Sequence, residues 1–312
     1  MFGRLSLVLC LLVVCSSAWT NNTEFWSNKF KNSSTYFEAY TGFEQIDWHY
    51  DFGKSSMHYE LFTAHGQTIN STTSRTPLFL WLQGGPGASS MFGAYTEIGP
   101  VLIKNGTPVL NDWSWNLMGH LLFVDSPLNV GFSFADGDRK GKQQVNSTLQ
   151  ATDHLVNFLS NFYKSWPGLK ASPLYLIGES FAGHYIPNLA KKISFNNSLG
   201  FNLKGVAIGD GWTDPVNQIN YYDSYLWSVG VIANKFRDTC NWYQTRSIIN
   251  MYEGNHQKVH IYSFRPLTTS ISLPTTTPHP KPTWETSPCS TLETMTDSIN
   301  PSLSSSLTTK NN

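Results

Sequence analysis

Four short apolar runs constrain the fold of this chain more than any other feature. They read LFLWL, LLFV, LYLI and VAI, at Leu78–Leu82, Leu121–Val124, Leu174–Ile177 and Val206–Ile208. None alternates between apolar and polar residues, and Gly or Asp follows each of them within two residues. Such runs are typical of strands that are buried on both faces of a parallel sheet. We therefore predict an α/β fold, doubly wound, with a mainly parallel sheet.

Two helical stretches lie between these runs. Leu149–Tyr163 has apolar residues at helical spacing and stops at the sequence Trp-Pro-Gly, residues 166–168. A strand, a crossover helix and a second strand make a parallel α/β unit. Ala182–Ile193 is the second stretch, and we expect Pro187 to kink or split it.

The N-terminus has the pattern of a secretory signal peptide. Arg4 precedes the apolar stretch Leu5–Val14, and small residues lead up to Ala18, after which we expect cleavage. A membrane span needs roughly 20 apolar residues, so this run is too short, and no later segment is long enough. We expect a soluble protein of the secretory pathway, secreted or lysosomal.

Six Asn-x-Ser/Thr sequons agree with that compartment and predict a glycoprotein. Without the signal peptide, only Cys240 and Cys289 remain, enough for at most one intramolecular disulfide. The charge is balanced at 21 basic and 21 acidic residues, which gives no reason to expect nucleic acid as a partner. The sequon residues are Asn21, Asn32, Asn70, Asn105, Asn146 and Asn196.

The composition changes at about Leu267. Residues 267–312 are rich in Ser, Thr and Pro and cannot bury enough apolar surface to offset their ordering entropy, so we expect disorder. The segment is typical of an O-glycosylated stalk, or else of an unrelated coding end joined to a shortened domain. We favour the second reading because the change is abrupt. The expected organisation is a signal peptide at 1–18, a domain at 19–266 and this tail.

Ser180 stands between a predicted strand and a predicted helix, in the sequence Gly-Glu-Ser-Phe-Ala-Gly of residues 178–183. A nucleophile elbow requires a strand, a tight turn at the serine and a helix, with small residues on either side. A serine N-cap is the simpler alternative, but it does not explain the glycines or the preceding strand. The elbow is the better interpretation.

A glycine-rich loop follows the first apolar run. Residues 81–90 read WLQGGPGASS, and glycines there allow backbone N–H groups to converge on an oxyanion. A plain Gly-Pro turn is the alternative. A phosphate-binding Walker loop is excluded because no Gly-Lys-Ser/Thr follows.

At this point the sequence resembles the serine carboxypeptidases, which have an α/β-hydrolase fold. The matching stretches are WLQGGPGASSMFGAYTEIGP, SWNLMGHLLFVDSPLNVGFSF, LYLIGESFAGHYIP and GVAIGDGWTDP, which together cover about residues 30–262. The resemblance implies that Ser180 is the nucleophile and that the backbone N–H groups of Gly85 and Phe181 form the oxyanion hole. It implies a peptide or protein C-terminus as the substrate, and neither a metal nor a cofactor.

The resemblance also implies a site for the terminal carboxylate of the substrate. Glu97 and Glu179 match the acidic residues of that site, and Gln83, at a position where many members have Asn, would bind the carboxylate with the Gly84 backbone. Two carboxyl groups can bind the carboxylate of a substrate only if at least one of the three is protonated, so the pKa values of the two glutamates must be raised. We expect the activity to be highest at acidic pH. Without the surrounding motifs, both glutamates would be read as surface acids.

Two departures from the family leave the chemistry untouched. Ala88 replaces a Cys of other members, which removes one structural disulfide, and Asn129 replaces a small residue.

The base and the acid that activate a serine are the missing part of the pattern. Beyond Tyr262 the chain has neither the Asn-Gly-Asp nor the Ala-Gly-His sequence of the family, which predicts a sheet that is incomplete at its C-terminal side. His154, His184 and the histidines at 256, 260 and 279 match no catalytic position, and no metal pattern such as His-Glu-x-x-His occurs. Two hypotheses follow. One is a carboxypeptidase that works through an acyl-enzyme at Ser180, and the other is a non-catalytic secreted homologue.

Overall fold

The computed structural model describes residues 19–30, 37–46, 55–69, 75–135, 145–255 and 258–259. The predicted signal peptide, Asn32, Asn70 and the predicted tail at 267–312 lie outside these residues. The chain divides into two compact units, and residues up to 143 together with 151–210 form the first.

An eight-stranded mixed sheet is the framework of the first unit. Its order is β1-β2-β3-β7-β4-β9-β10, with β8 pairing to β3, while β5 and β6 form a separate hairpin. The strands are β1 (Trp19–Asn21), β2 (Ala39–Ile46), β3 (Ser55–Phe62), β4 (Leu78–Leu82), β5 (Val101–Lys104), β6 (Thr107–Leu110), β7 (His120–Val124), β8 (Phe134–Ala135), β9 (Leu174–Glu179) and β10 (Leu203–Gly209).

The four predicted strands form the parallel part of this sheet. The pairs β7–β4, β4–β9 and β9–β10 are all parallel, which confirms the prediction from the apolar runs. The strands β1, β2 and β3 add antiparallel pairs on one side.

Both faces of β4, β7 and β9 are largely buried, which explains why their sequences do not alternate. The prediction of burial on both faces is wrong for β10, because β10 is the last strand in the described sheet order and Val206 is 49% exposed. In β4, Leu78, Leu80 and Leu82 have no exposed surface, and Trp81 on the opposite face is only 6% exposed. Trp81 belongs to an apolar cluster with Phe62, Leu121, Phe123 and Ile177. Burial of such side chains contributes roughly 1.5–3 kcal/mol each relative to exposure.

Three helices complete the first part of the chain: α1 (Thr23–Lys29), α2 (Thr148–Ser165) and α3 (Ala182–Phe195). Both predicted helical stretches are confirmed. On α2, Phe158 and Phe162 pack edge-on against the ring of Tyr59 in β3. Pro187 does not split α3, which continues from Ala182 to Phe195 and buries Ile186, Leu189 and Ile193.

The described part of the second unit is helical, with α4 (Pro215–Ile219), α5 (Tyr222–Ser228) and α6 (Asn234–Tyr252). Asp223 connects α5 to α6, because its carboxylate accepts hydrogen bonds from Gln244 at 3.0 Å and from Arg237 at 3.2 Å.

Cys240 on α6 is buried and forms no disulfide with a described residue. None of the described helices is long and apolar enough to cross a membrane.

The sheet order identifies where a site can form. From β4 the chain moves to β7 on one side, whereas from β9 it moves to β10 on the other, although β4 and β9 are neighbours. Their carboxyl ends therefore lie at a topological switch point, where open α/β sheets bind ligands. Gln83 and Gly84 follow β4 at this point, and Ser180 follows β9.

Candidate active site

Ser180 occupies a strained turn between β9 and α3. Its φ angle is +54°, in the left-handed region that non-glycine residues rarely adopt. The N-cap of α3 is Phe181, and no side chain caps the helix. The geometry is that of an elbow, and the alternative of a serine N-cap is wrong.

Two glycines allow the elbow to form. A Cβ atom on Gly178 would overlap the carbonyl oxygen of Leu82 in the neighbouring strand and lie 2.8 Å from the Ala182 Cβ. A Cβ atom on Gly84 would lie 2.7 Å from the Ser180 Cβ and 2.9 Å from the Phe181 nitrogen. Real Cβ atoms do not approach other atoms so closely, so only glycine fits at either position.

The same contacts bring the predicted oxyanion-hole residues to the serine. The Phe181 nitrogen borders Gly84, and Gly85 follows with a φ angle of +113°, which favours glycine. Two loops that are almost one hundred residues apart in the sequence therefore meet at Ser180. Preorganised N–H groups at such a place can stabilise a negative oxygen.

Gln83 holds the two predicted carboxylate-binding glutamates. Its amide oxygen accepts hydrogen bonds from the Trp81 indole N–H at 2.9 Å and from the Gly93 N–H at 3.1 Å. Because both lone pairs of the oxygen are used, the NH₂ group must point the other way. It donates to Glu179 Oε1 and also bonds to Glu97.

Glu97 is half-buried at the end of the π-helical segment Gly93–Glu97. Burial raises the pKa of Glu97, and the negative charges of Glu179 and Asp210 raise it further, while the hydrogen bond from Gln83 acts in the opposite direction. The carboxyl of Glu97 therefore keeps its proton to higher pH than an ordinary glutamate. A protonated carboxyl can donate a hydrogen bond to another carboxylate.

A buried aspartate, which sequence reasoning missed, anchors the glycine-rich loop. Asp125 is fully buried and accepts hydrogen bonds from the Ser89 hydroxyl at 2.5 Å, the Ser90 N–H at 3.0 Å and the Phe132 N–H at 2.9 Å. Its other close partner is His58 Nδ1, at 3.1 Å. The position of Asp125 directly after a buried strand could have indicated its importance. Nothing in the sequence identified His58, on β3, as its partner.

The hydrogen bonds keep Asp125 ionised despite its burial. Burial alone raises its pKa, but the bonds from His58, Ser89 and Phe132 outweigh that effect, so the pKa of Asp125 is lowered overall. The charge is thus retained in the acidic range in which Glu97 is protonated.

Five histidines belong to the residues that the structure describes. No histidine in the described ranges hydrogen-bonds to Ser180 Oγ; those ranges contain His58, His65, His120, His154 and His184. Burial lowers the pKa of His120 and of His154 to about 4, which keeps these rings neutral. The ring of His184 packs on Phe181, with centroids 4.6 Å apart.

The structure also describes four of the sequon residues and Asn129. The sequon residues Asn21, Asn105, Asn146 and Asn196 are exposed. Asn129 has a φ angle of +69° and accepts a hydrogen bond from the Ala135 N–H. Within the described ranges, no group of His, Cys, Asp or Glu side chains is arranged to hold a metal ion.

Comparison with known proteins identifies similar sequences. The profile of the serine carboxypeptidase family matches residues 29–284. The chain is 36% identical over 197 residues to the vitellogenic carboxypeptidase of Aedes aegypti, which covers 62% of this chain and 39% of that protein. It is 36% identical over 210 residues to the venom serine carboxypeptidase of Apis mellifera, which covers 66% of this chain and 42% of that protein. The chain thus spans about two fifths of the length of these relatives.

A solved structure shares the fold. The prohormone-processing carboxypeptidase Kex1Δp of Saccharomyces cerevisiae superposes with a TM-score of 0.63 at 27% sequence identity. The superposition covers 77% of this chain and 54% of the yeast protein. The α/β-hydrolase fold expected from the resemblance is therefore confirmed.

The elbow makes a prediction about Gly178. We expect Gly178→Ala to lower the free energy of unfolding by about 1–3 kcal/mol, because the added methyl group overpacks the contact between β4 and α3. Urea denaturation followed by circular dichroism measures this. The matched control is Gly209→Ala, where the nearest atoms to the new Cβ lie 3.9 Å away, at ordinary contact distance. Equal stabilities of the two variants would contradict the packing described for the elbow.

Proposed function

This chain belongs to the serine carboxypeptidase family, and from that premise we propose that it binds the C-terminal carboxylate of a peptide and presents Ser180 to the adjoining peptide bond. Hydrolysis would then proceed through an acyl-enzyme on Ser180, with the N–H groups of Gly85 and Phe181 facing the carbonyl oxygen. The observation that carries the proposal is the convergence of Gln83, Glu97 and Glu179 beside the elbow.

The carboxylate site has a chemical reason to favour acidic pH. A peptide carboxylate is negative, so it can bind beside Glu97 only if that side chain is protonated and donates a hydrogen bond. Burial and the charge of Glu179 raise the pKa of Glu97. The protonated form is complete well below that pKa and disappears as the pH rises through it. Binding should follow the same direction.

Calorimetry with an N-blocked dipeptide tests the recognition of the carboxylate. We expect binding at acidic pH that weakens as the pH rises, and binding at least about tenfold weaker for the C-terminal amide, which loses the charged hydrogen bonds. Glu97→Gln should flatten the pH dependence because it keeps a neutral donor. The matched control is Glu24→Gln, which changes an exposed glutamate on α1. Equal affinity for the acid and the amide would contradict the proposal.

A second candidate is a non-catalytic binder of peptide C-termini. It is favoured by one observation: among the residues that the structure describes, no histidine bonds to Ser180 Oγ to act as its base. A fluorophosphonate probe and assay of amino-acid release separate the two candidates. Labelling of Ser180 with release of the C-terminal residue supports the hydrolase. Peptide binding without either reaction supports the binder.

The compartment that we propose is the secretory pathway. The signal-peptide pattern at 1–18 supports it, as do the exposed sequon residues Asn21, Asn105, Asn146 and Asn196. At Asn196 the amide oxygen accepts the Ser198 hydroxyl at 2.6 Å, which leaves Nδ2, the atom that carries a glycan, uninvolved in this bond.

Expression in eukaryotic cells tests this proposal. We expect the chain in the medium or in lysosomes, with a mass that falls after treatment with peptide N-glycosidase F. An unchanged mass, or a chain that stays in the cytosol, would contradict it.

A further inference from the structure

Asp210 occupies an unusual backbone position beside the elbow. It follows the last residue of β10, and its φ angle is +38°, on the edge of the left-handed region that Asp and Asn tolerate better than other side chains. No sequence pattern gave Asp210 a part in the site. Its position calls for a different assignment, because β10 is the neighbour of the strand that carries Ser180.

The Asp210 side chain contacts the backbone of the nucleophile. The Ser180 N–H donates to the Gly209 carbonyl oxygen at 2.9 Å and to Asp210 Oδ1 at 3.3 Å. The carboxylate of Asp210 thus shares one donor with the main chain of β10. This bond connects the end of β10 to Ser180, the residue with the strained φ angle. Gly84 contacts Ser180 from the end of β4, the strand on the other side of β9.

Asp210 also lies close to the carboxylate site, because the register of β9 and β10 pairs Gly209, the residue before it, with Glu179, which bonds to Gln83. Two negative groups act on Glu97: Glu179 from the end of β9, and Asp210 from the end of β10. The third group that faces Glu97 is the neutral amide of Gln83, after β4. After burial and Glu179, the charge of Asp210 therefore contributes to the raised pKa of Glu97. Asp210 is exposed, so solvent screens part of this effect.

We propose that Asp210 is a positioning residue of this site: its carboxylate holds the Ser180 backbone, and its negative charge lies beside the glutamates that would bind a peptide carboxylate. The second part rests on the proposed function. An aspartate is suited to both tasks, whereas an asparagine could accept the same hydrogen bond but would carry no charge.

The variant Asp210→Asn separates the charge from the hydrogen bond. Asn tolerates the left-handed conformation and keeps an acceptor for the Ser180 N–H, so we expect the fold to be retained. NMR of ¹³C-labelled glutamate side chains, assigned with Glu97→Gln, follows the titration of Glu97 without any ligand. We expect the midpoint of Glu97 to move to lower pH in Asp210→Asn.

The matched control is Asp153→Asn, which removes a negative charge from an exposed position on α2, where Asp153 pairs with Lys192. This control should leave the midpoint of Glu97 where it is in the wild type. A midpoint that is equal in Asp210→Asn and in the wild type would overturn the role of the charge.

Amide hydrogen exchange tests the positioning role. Asp210→Ala removes the acceptor, so the Ser180 amide should exchange faster than in the wild type, and Asp210→Asn should restore the protection. Equal exchange rates in all three proteins would overturn this role.

Binding of the dipeptide connects the inference to function. As the pH rises, the affinity for the dipeptide should begin to fall at a lower pH in Asp210→Asn than in the wild type. At the acidic limit the variant should bind the dipeptide equally or more tightly, because one repulsive charge is gone. If the wild type binds no dipeptide at any pH, the proposed function fails, and the ligand-free titration of Glu97 still decides whether Asp210 acts on it.

Discussion

The contact between the backbone turns after β4 and β9 is the constraint on which the site depends. Gly84 lies against Ser180 so closely that a single methyl group would not fit between them, and Gly178 has the same relation to Leu82. Because the turns touch, the N–H group of Phe181 and the Gly84–Gly85 backbone are brought to the serine. The side chain of Gln83, one residue earlier, is placed beside Glu179 for the same reason. One close approach therefore positions the predicted nucleophile, the predicted oxyanion donors and the proposed carboxylate site together.

A buried charge holds the glycine-rich loop from its other end. Glycines make the loop able to approach Ser180, but they also give it many conformations to lose on folding. Asp125 restrains it by accepting hydrogen bonds from Ser89 and Ser90. An unpaired carboxylate in this place would be costly, and the several donors around it offset that cost. Because the pKa of Asp125 is lowered while that of Glu97 is raised, one carboxyl group stays charged and the other protonated over a common acidic range.

The sequence predicted the parallel strands and the elbow because their signals are local. A run such as Leu78–Leu82 reports burial on both faces, and Gly-Glu-Ser-Phe-Ala-Gly reports a tight turn between a strand and a helix. The antiparallel strands β2 and β3 were not predicted, since they contain polar residues that are buried only because of partners elsewhere. His58 on β3 is an example: its partner, Asp125, is 67 residues away.

The electrostatic part of the site could be predicted only in outline. The resemblance to serine carboxypeptidases named Gln83, Glu97 and Glu179, but not the orientation of the Gln83 amide, which the N–H groups of Trp81 and Gly93 determine. Nor did it give Asp210 a role. Its bond to the Ser180 N–H depends on the register of β9 and β10, which no local pattern encodes.

A crystal structure of the chain with an N-blocked dipeptide at acidic pH would show whether the residues around Ser180 bind a peptide C-terminus. We expect the terminal carboxylate of the dipeptide to lie within hydrogen-bonding distance of Gln83 and Glu97. We also expect the carbonyl carbon of the adjoining peptide bond to lie beside Ser180 Oγ, with its oxygen toward the N–H groups of Gly85 and Phe181. A dipeptide bound elsewhere, or bound with its carboxylate directed away from Gln83 and Glu97, would contradict this expectation.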